Sequence, residues 1–407
     1  MPIGIADAED SLRELKELTA SAGARVVGTA LQRSSDPDPA TLLGRGKVHE
    51  VRTEAHAAGA DLVIFDHDLT PTQLRNLEKF IDLKVIDRTQ IILDIFARRA
   101  RSREGQLQVE LAQLNYLLPR LSGHGTVLSR LGGGIGTRGP GEQKLEMDRR
   151  RIRRRIRILT ESIERVRSQR ALHRARRRDQ NLHIVALVGY TNAGKSTLFN
   201  ALTSAAVVTS ARMFATLDPT VRAMPLDAHR TALLSDTVGF IRKLPPHLVA
   251  AFRATLEELE EARLLLHVTD ASDPERDAQD AAVESLLEDL GVASTPRLHV
   301  WNKVDLLAPV EQHRFAAQDR SITVSAQTGE GLENLRLRIA DALAVDPMVE
   351  ADFDLSSSDG KHLAMLHESG TVVSTHYEAD RVLVRAIVPE SLREKLKPST
   401  AEALRER

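Results

Sequence analysis

The feature that most constrains the fold of this chain is a glycine-rich loop at residues 189–196, whose sequence GYTNAGKS fits the pattern GxxxxGK[ST]. An apolar run at 183–188 precedes the loop, and residues 196–203 have the pattern of a helix. Between a strand and a helix, such a loop surrounds phosphate oxygens with backbone N–H groups and the positive end of the helix dipole. The pattern therefore predicts an α/β domain that binds phosphate. Lys195 should reach the β- and γ-phosphates and the Ser196 hydroxyl should bind Mg²⁺.

A second motif, DTVG at 236–239, ends another apolar strand. We expect Asp236 to hold the magnesium shell, directly or through water, and the Gly239 N–H to sense the γ-phosphate. Between the two motifs, the segment FATLDPT should contain a threonine that binds magnesium only with a nucleoside triphosphate. Thr216 is the first choice and Thr220 the alternative. A capped turn at 218–219 would explain the proline but not the threonine spacing.

Two further motifs select the base. NKVD at 302–305 and SAQ at 325–327 each follow an apolar strand. The Asp305 carboxylate can accept hydrogen bonds from N1–H and the 2-amino group of guanine, and adenine offers neither donor. Asn302 should address the base and brace the phosphate loop, the Lys303 stem should cover the ring, and the Ala326 N–H should bond the guanine O6. The motifs together predict a GTP and GDP site.

The predicted site is drawn from these segments. Catalytic roles are expected for Lys195, Thr216 and Gly239, and magnesium ligation for Ser196, Thr216 and Asp236. Nucleotide contacts are expected from Gly189, Tyr190, Thr191, Asn192, Ala193, Gly194, Lys195, Ser196, Thr197, Phe214, Ala215, Thr216, Leu217, Asp218, Asp236, Thr237, Val238, Gly239, Asn302, Lys303, Val304, Asp305, Ser325, Ala326 and Gln327.

Two positions depart from signalling GTPases. Where those enzymes place a water-orienting glutamine, this chain has Phe240 followed by Ile241, so intrinsic hydrolysis should be slow and completed by a partner. Asn192 occupies a loop position at which some GTPases bind K⁺, which would supply positive charge in place of an arginine finger. The alternative is that Asn192 only stabilises the turn.

The remaining chain divides into three regions. Residues 1–104 alternate strand and helix, with strands expected at 25–31, 61–65 and 83–86 and a helix that starts at Thr70. The GRGK fragment at 44–47 is best interpreted as a loop that starts a helix. The nucleotide-binding domain, called the G domain below, should span residues 182–346. Residues 350–407 should form a small α+β domain.

Residues 105–181 predict an antiparallel helical hairpin. Leucines from 107 to 121 and aliphatic residues from 152 to 166 both repeat at 4,3,4,3 spacing, which gives two apolar seams of matching length that can pack together. The connecting loop at about 122–141 is rich in glycine and longer than packing requires, so it should be functional or disordered, and we expect it to become ordered only on a partner. Residues 149–178 hold fourteen arginines and two glutamates, hence +12, in a chain of net charge −1. An arginine-rich helix in an otherwise acidic protein favours contact with a polyanion, although a solvated helix face is the alternative.

Longer strings in this chain resemble the HflX family of ribosome-associated GTPases. They are VIDRT, ILDIFA, LQVELAQLNYLLPRL, RLGGGIGTRGPGE, the phosphate loop, FATLDP and DTVGFIRKL, which begin at residues 85, 92, 107, 130, 189, 214 and 236. The resemblance implies a cytoplasmic protein that binds the large (50S) ribosomal subunit in its GTP state and splits stalled or idle ribosomes, particularly under stress. It implies that the N-terminal domain and hairpin (Arg149–Arg178) face ribosomal RNA and that the Gly132–Gly141 loop points towards the peptidyl-transferase region. We expect a monomer without a transmembrane segment.

Two other functions are compatible with these patterns. A GTPase that assists ribosome assembly would have the same site chemistry. An RNA-binding module with a regulatory or degenerate nucleotide site is a different class, and the intact Lys195, Ser196, Asp236 and Asp305 argue against it.

Overall fold

The computed structural model describes residues 5–32, 37–121, 140–179, 183–203, 213–214, 216–226, 230–242, 259–316, 321–343, 348–357, 359–378 and 380–396. Helices alternate with strands in the N-terminal and nucleotide-binding regions, and two long helices lie between them. This order confirms the predicted α/β class. Of the helices that the structure describes, none is both long and apolar enough to cross a lipid bilayer.

The N-terminal region packs helices around a small parallel sheet. Its elements are α1 (Ile5–Ser21), α2 (Arg45–Ala57), β1 (Leu62–Phe65), α3 (Pro71–Ile81), β2 (Lys84–Asp87) and α4 (Arg88–Arg99), and β1 pairs with β2. Helix α3 begins as predicted, since the Thr70 hydroxyl accepts a hydrogen bond from the Gln73 N–H and the Gln73 side chain accepts one from the Thr70 N–H. The GRGK fragment forms the start of α2, with Gly44 at the N-cap.

The predicted strand at 25–31 is wrong. This segment has no strand pairing, and Val26, Val27 and Leu31 are exposed. Its valines and threonine favour a strand, but a strand needs a neighbour that accepts its backbone hydrogen bonds. In the part of the chain that the structure describes, β1 and β2 pair only with each other.

The described part of the middle region consists of two helices. α5 (Arg103–Arg120) packs against α6 (Pro140–Asp179), and Arg155 of α6 forms a bidentate ion pair with Glu110 of α5 at 2.7 and 2.8 Å. The two predicted seams lie on these helices, although α6 has 40 residues and α5 has 18. The predicted loop lies outside the described residues from 122 to 139, and its last two residues already belong to α6.

α5 also has a buried face that the leucine spacing did not predict. Val109, Ala112 and Tyr116 pack into a cluster shared with α4. On α6 the predicted seam is the less exposed side, with Leu159 fully buried, while the arginines from 150 to 157 are exposed.

The nucleotide-binding region contains a six-stranded sheet. Its strands are β3 (Ile184–Val188), β4 (Thr220–Pro225), β5 (Thr231–Asp236), β6 (Leu264–Asp270), β7 (Arg297–Asn302) and β8 (Ser321–Thr323), in the spatial order β4-β5-β3-β6-β7-β8. Only β4 runs antiparallel to its neighbour. The described helices are α7 (Lys195–Thr203), α8 (Arg276–Asp289), α9 (Pro309–Ala316) and α10 (Leu332–Leu343). The carboxyl ends of parallel strands meet at one edge of a sheet, where ligands bind in such folds.

Alternate residues of β3 point into different cores. Val185 and Leu187 belong to a cluster with α7 and α10, whereas Ile184, Ala186 and Val188 belong to a cluster with α8, α1 and α4. The N-terminal region and the G domain therefore share one hydrophobic core.

The C-terminal region is the predicted α+β unit. It consists of β9 (Met348–Ser356), α11 (Gly360–Ser369), β10 (Thr371–Glu378), β11 (Arg381–Pro389) and α12 (Glu390–Leu396). The three strands form an antiparallel sheet in the order β10-β11-β9, and its apolar side packs on both helices.

Candidate nucleotide-binding site

The loop between β3 and α7 owes its shape to two glycines. Gly189 has a φ of +147°, and a Cβ there would collide with the carbonyl oxygen of Val268. Gly194 has a φ of +93°, and a Cβ there would collide with Nδ2 of Asn302. Any side chain at these two positions would therefore disrupt the curve that points backbone N–H groups at phosphate.

Lys195 lies buried at the start of α7. Its Nζ donates hydrogen bonds to the carbonyl oxygens of Gly189 and Tyr190, at 3.0 and 2.6 Å. Burial lowers the pKa of Lys195 to about 8, and the charge of Asp236 partly opposes this shift. A phosphate beside Nζ would favour the charged ammonium in the same way, so the site suits an anion.

The three predicted magnesium ligands meet at the carboxyl end of β5. The hydroxyls of Ser196 and Thr216 each lie 2.8 Å from Oδ2 of Asp236 and 2.8 Å from each other. Thr216, the first choice from the sequence, is thus placed with the other two ligands, whereas Thr220 is the first residue of β4.

The chemistry of this group fits Mg²⁺. Oδ1 of Asp236 is buried and has no hydrogen-bond partner among the described residues. Burial raises the pKa of Asp236, and the two hydroxyls and Lys195 partly offset that increase. A hard cation prefers hydroxyl and carboxylate oxygens and would supply the missing partner for Oδ1.

The DTVG segment lies directly against the phosphate loop. The Thr191 N–H donates to the carbonyl oxygen of Phe240 at 2.8 Å, and the Phe240 N–H donates to that of Gly189 at 3.1 Å. A Cβ built at Gly239 would lie 3.1 Å from Nζ of Lys195. The glycine predicted to sense the γ-phosphate is therefore beside the lysine predicted to bind it.

The side chains after Gly239 face away from the loop. Phe240 and Ile241 are buried in the core shared with α1 and α4, as is Val238. The Thr237 hydroxyl is also buried and donates to the carbonyl oxygen of Leu187 at 2.6 Å. The apolar pair in place of a glutamine is thus explained by packing against the N-terminal region.

The base-recognition motifs are joined by Asn302. Its Nδ2 donates to the carbonyl oxygen of Ala193 at 2.9 Å, which confirms that it braces the phosphate loop. Its Oδ1 accepts from the Ala326 N–H at 3.0 Å. The N–H that we predicted to bond guanine O6 is therefore bound to Asn302 in this structure, and a contact with the base would have to share or replace that bond.

The remaining residues of the two base-recognition motifs differ in their exposure and contacts. Asp305 is exposed in a short 3₁₀ turn (Val304–Leu306), and the Val304 side chain beneath it is buried. Lys303 has a φ of 63° and its Nζ lies 2.6 Å from Oδ2 of Asp270. Buried Ser325 accepts from the Thr328 N–H at 3.1 Å, whereas Gln327 is exposed.

Three side chains of the predicted site lie elsewhere. Phe214 packs edge-on against Phe96 of α4, with ring centroids 4.7 Å apart, and Leu217 is buried in the same core. The Asp218 carboxylate accepts hydrogen bonds at the start of α5. Each of these side chains thus contacts the N-terminal or middle region, and a nucleotide contact through these three residues stays a prediction. Ala215 lies outside the described residues.

Sequence reasoning missed a buried polar network. Arg88 at the start of α4 forms ion pairs with Glu14 and Asp66, and it donates to the carbonyl oxygen of Arg242 at 3.1 Å. The Tyr190 hydroxyl donates to Glu14 and accepts from the Arg242 N–H at 2.9 Å. Burial and the Glu14 charge raise the pKa of Tyr190. The sequence did contain a signal for this network, since the charged Arg88 lies inside the largely apolar string VIDRTQIILDIF.

Comparisons with known proteins agree with this geometry. Residues 9–97 match the family "GTP-binding GTPase N-terminal", 99–177 match "GTP-binding GTPase Middle Region", and 184–303 match "50S ribosome-binding GTPase". The fold, the site and these matches define the protein as a P-loop GTPase, a class that generally uses Mg²⁺ with GDP and GTP.

Two relatives identify the family. "GTPase HflX" of Caldanaerobacter subterraneus subsp. tengcongensis is 48% identical and covers 96% of this chain and 90% of its own. "GTPase HflX" of Escherichia coli is 46% identical and covers 83% and 80%. The chain therefore belongs to the HflX family of GTPases.

A solved structure has a similar fold. The GTP-binding protein of Sulfolobus solfataricus in complex with GDP is 24% identical, with a TM-score of 0.44, and covers 82% of this chain and 96% of its own. Because this identity and TM-score are low, the family assignment rests on the sequence relatives.

Proposed function

We propose that this GTPase binds the large ribosomal subunit in its GTP state and uses that binding to split stalled or idle ribosomes under stress. The observation that supports the proposal is the exposed arginine face of α6. This helix packs against α5, and α5 contacts the nucleotide-binding region through Asp218. Arg150, Arg151, Arg153, Arg154 and Arg157 are all exposed. Arginine on a helix surface binds the phosphate groups of RNA through charge and geometry rather than base sequence.

The nucleotide chemistry assigns one role to each motif. Lys195 and the loop N–H groups hold the phosphates, and Asp305 accepts from the guanine edge. Ser196, Asp236 and, with GTP, Thr216 would hold Mg²⁺, which neutralises charge that develops on the phosphates. The described residues of the site offer no general base to the attacking water.

Hydrolysis then needs a partner. Phe240 and Ile241 are buried and carry no group that orients water. Contact with the ribosome would complete the site, and hydrolysis would weaken ribosome binding and release the protein. Most of the Gly132–Gly141 loop, which we expect to reach ribosomal RNA, lies outside the described residues, as do residues 243–258.

The direct test measures GTP turnover with and without purified large subunits. We expect turnover to rise well above the basal rate. If large subunits leave turnover unchanged, the protein acts instead as an RNA-binding module with a regulatory nucleotide site. Sedimentation of intact ribosomes with a non-hydrolysable GTP analogue separates splitting, which yields free subunits, from an assembly role, which leaves the ribosomes associated.

Neutralising arginines on α6 should weaken large-subunit binding and reduce its dependence on salt. Arg155 is a poor choice, because it pairs with Glu110. We expect the triple variant R153Q/R154Q/R157Q to lower the slope of log affinity against log salt by about 2 to 3, since each phosphate contact contributes about 0.7–0.9. Binding titrations across a salt series provide the measurement.

The control is R222Q/R314Q/R338Q, which removes three exposed arginines from the G domain. Guanine-nucleotide affinity should be unchanged in the α6 variant. Equal loss of ribosome binding in both triple variants would show a general charge effect and would contradict a specific α6 contact.

K⁺ dependence tests the role of Asn192. Asn192 is exposed and has a φ of 64°, a conformation that asparagine tolerates, so its turn role is explained. If its side chain also binds K⁺, large-subunit-stimulated hydrolysis should be faster in K⁺ than in Na⁺. Asn192→Gly keeps the left-handed turn and should remove this difference. Equal wild-type rates in the two salts would refute a K⁺ site.

A further inference from the structure

Asp218 joins the magnesium-binding segment to the base of the helical hairpin. One oxygen of its carboxylate, Oδ2, accepts hydrogen bonds from the backbone N–H groups of Arg101 and Ser102, at 2.8 and 2.7 Å. The other oxygen accepts from the Ser102 hydroxyl. Ser102 is the N-cap of α5, and its hydroxyl oxygen accepts from the Gly105 N–H at 2.9 Å. The carboxylate is thus placed at the positive end of α5, where a negative charge is stabilised.

The first turn of α5 is built for this contact. A Cβ at Gly105 would collide with Oδ1 of Asp218, so only glycine allows the carboxylate to approach. Glycine inside a helix is less favourable than alanine by about 1 kcal/mol. The less favourable glycine therefore occurs at a position that faces the Asp218 carboxylate.

The contact lies close to the site of GTP chemistry along the chain. Thr216 is two residues before Asp218, so the two Cα atoms can be at most about 7 Å apart. Leu217 between them is 5% exposed and packs in the shared core. The segment between Thr216 and Asp218 is therefore short and packed, so a displacement of Thr216 should also displace Asp218.

The hairpin can amplify such a displacement. α5 has 18 residues and is about 27 Å long at 1.5 Å per residue. The Glu110–Arg155 ion pair and the packing between α5 and α6 hold the two helices together, so the arginine face of α6 moves with α5. A small rotation of α5 moves the far end of the hairpin by a larger distance, and it moves the N-terminal region as well, because Tyr116 and Arg120 of α5 hydrogen-bond to Asp87.

We propose that Asp218 is a positioning residue that makes the Thr216 segment and the hairpin move as one unit, so that GTP bound at Thr216 sets the direction of the hairpin. The same linkage acts in reverse: a partner that holds the hairpin in its GTP direction stabilises Thr216 in its GTP position, because coupling between two sites is reciprocal. The partner's identity rests on the proposed function, but the coupling itself does not.

The first test measures the coupling without a ribosome. The chain has no cysteine, so Met147→Cys on α6 and Val310→Cys on α9 introduce the only labelling sites, and both positions are exposed. Spin labels at these sites report the distance between hairpin and G domain with GDP and with a non-hydrolysable GTP analogue. We expect the distance to shift by about 2 Å or more between the two nucleotides.

Gly105→Ala should abolish that shift. The added methyl group displaces the carboxylate, while alanine favours the helix, so α5 should remain folded. Gly46→Ala in α2 is the matched control, because a Cβ there meets no atom within 4 Å. Asp218→Ala removes the carboxylate and should have the effect of Gly105→Ala. Ser102→Ala removes only the hydroxyl donor and keeps both backbone N–H donors, so it should retain most of the shift.

The outcomes are distinct. A wild-type distance that does not change with nucleotide, or a shift that survives in Gly105→Ala and Asp218→Ala, overturns the inference. A shift that is lost in these variants and kept in Gly46→Ala supports it, even if the protein fails to bind large subunits, in which case only the proposed function fails.

A second test uses purified large subunits. In the wild type, we expect affinity with the GTP analogue to exceed affinity with GDP by about 5- to 150-fold, the usual size of an allosteric coupling. In Gly105→Ala this ratio should fall towards one, while nucleotide affinity of the isolated protein is retained. An unchanged ratio in Gly105→Ala would contradict the coupling.

Discussion

Asp305→Asn should lower the affinity for GDP and GTP by about 10²- to 10⁴-fold, because two hydrogen bonds to a charged group are lost at about 1.5–3 kcal/mol each. The asparagine NH₂ would also face the 2-amino group of guanine, so that two donors meet. Xanthine carries a carbonyl at that position, and the variant should therefore prefer xanthine nucleotides. Titration with GDP and XDP measures both effects.

The control for this variant is Asp277→Asn, which removes a charge from an exposed residue in the first turn of α8. It should bind GDP like the wild type. If Asp305→Asn also binds GDP like the wild type, or if the wild type binds ATP as well as GTP, the assignment of the base-recognition motif is wrong.

Lys195→Ala should reduce GTP turnover by about 10²- to 10³-fold or more, since it removes a preorganised cation from the transferring phosphoryl group. Lys195→Arg should be impaired as well. Lys195 is buried and its Nζ bonds to the carbonyl oxygens of Gly189 and Tyr190, so the larger guanidinium does not fit the same place. Single-turnover hydrolysis with saturating large subunits measures the loss of the chemical step.

Thermal unfolding of both lysine variants should accompany this measurement, because Lys195 is buried and its removal leaves a cavity. A folded Lys195→Ala protein with turnover within tenfold of the wild type would contradict the role given to this residue.

The local motifs were predictable because their chemistry depends on residues close in sequence. The phosphate loop, the strands that precede each motif and the Thr70 cap occur where the pattern predicted them. The meeting of Ser196 with Asp236 was also predictable, since a fold of this class brings the carboxyl ends of its parallel strands to one edge.

The sequence did not reveal contacts whose partner is distant in sequence. A single apolar segment can be a strand or an unpaired segment, and 25–31 is the latter because no neighbouring strand is available among the described residues. Arg155 belonged to a basic run in the sequence, but the structure pairs it with Glu110. Phe214, Leu217 and Asp218 lie in a nucleotide-binding segment, yet their side chains contact α4, the shared core and α5.

The amino-acid sequence by itself determined that this protein binds a guanine nucleotide, because glycine conformations, a helix terminus and a single carboxylate specify that chemistry within a few residues. Only the tertiary structure decided how the nucleotide site is joined to the rest of the molecule. The contacts of Asp218 with Ser102 and of Tyr190 with Glu14 span more than 100 residues. Such contacts depend on how whole elements pack, and no local pattern in the sequence records that packing.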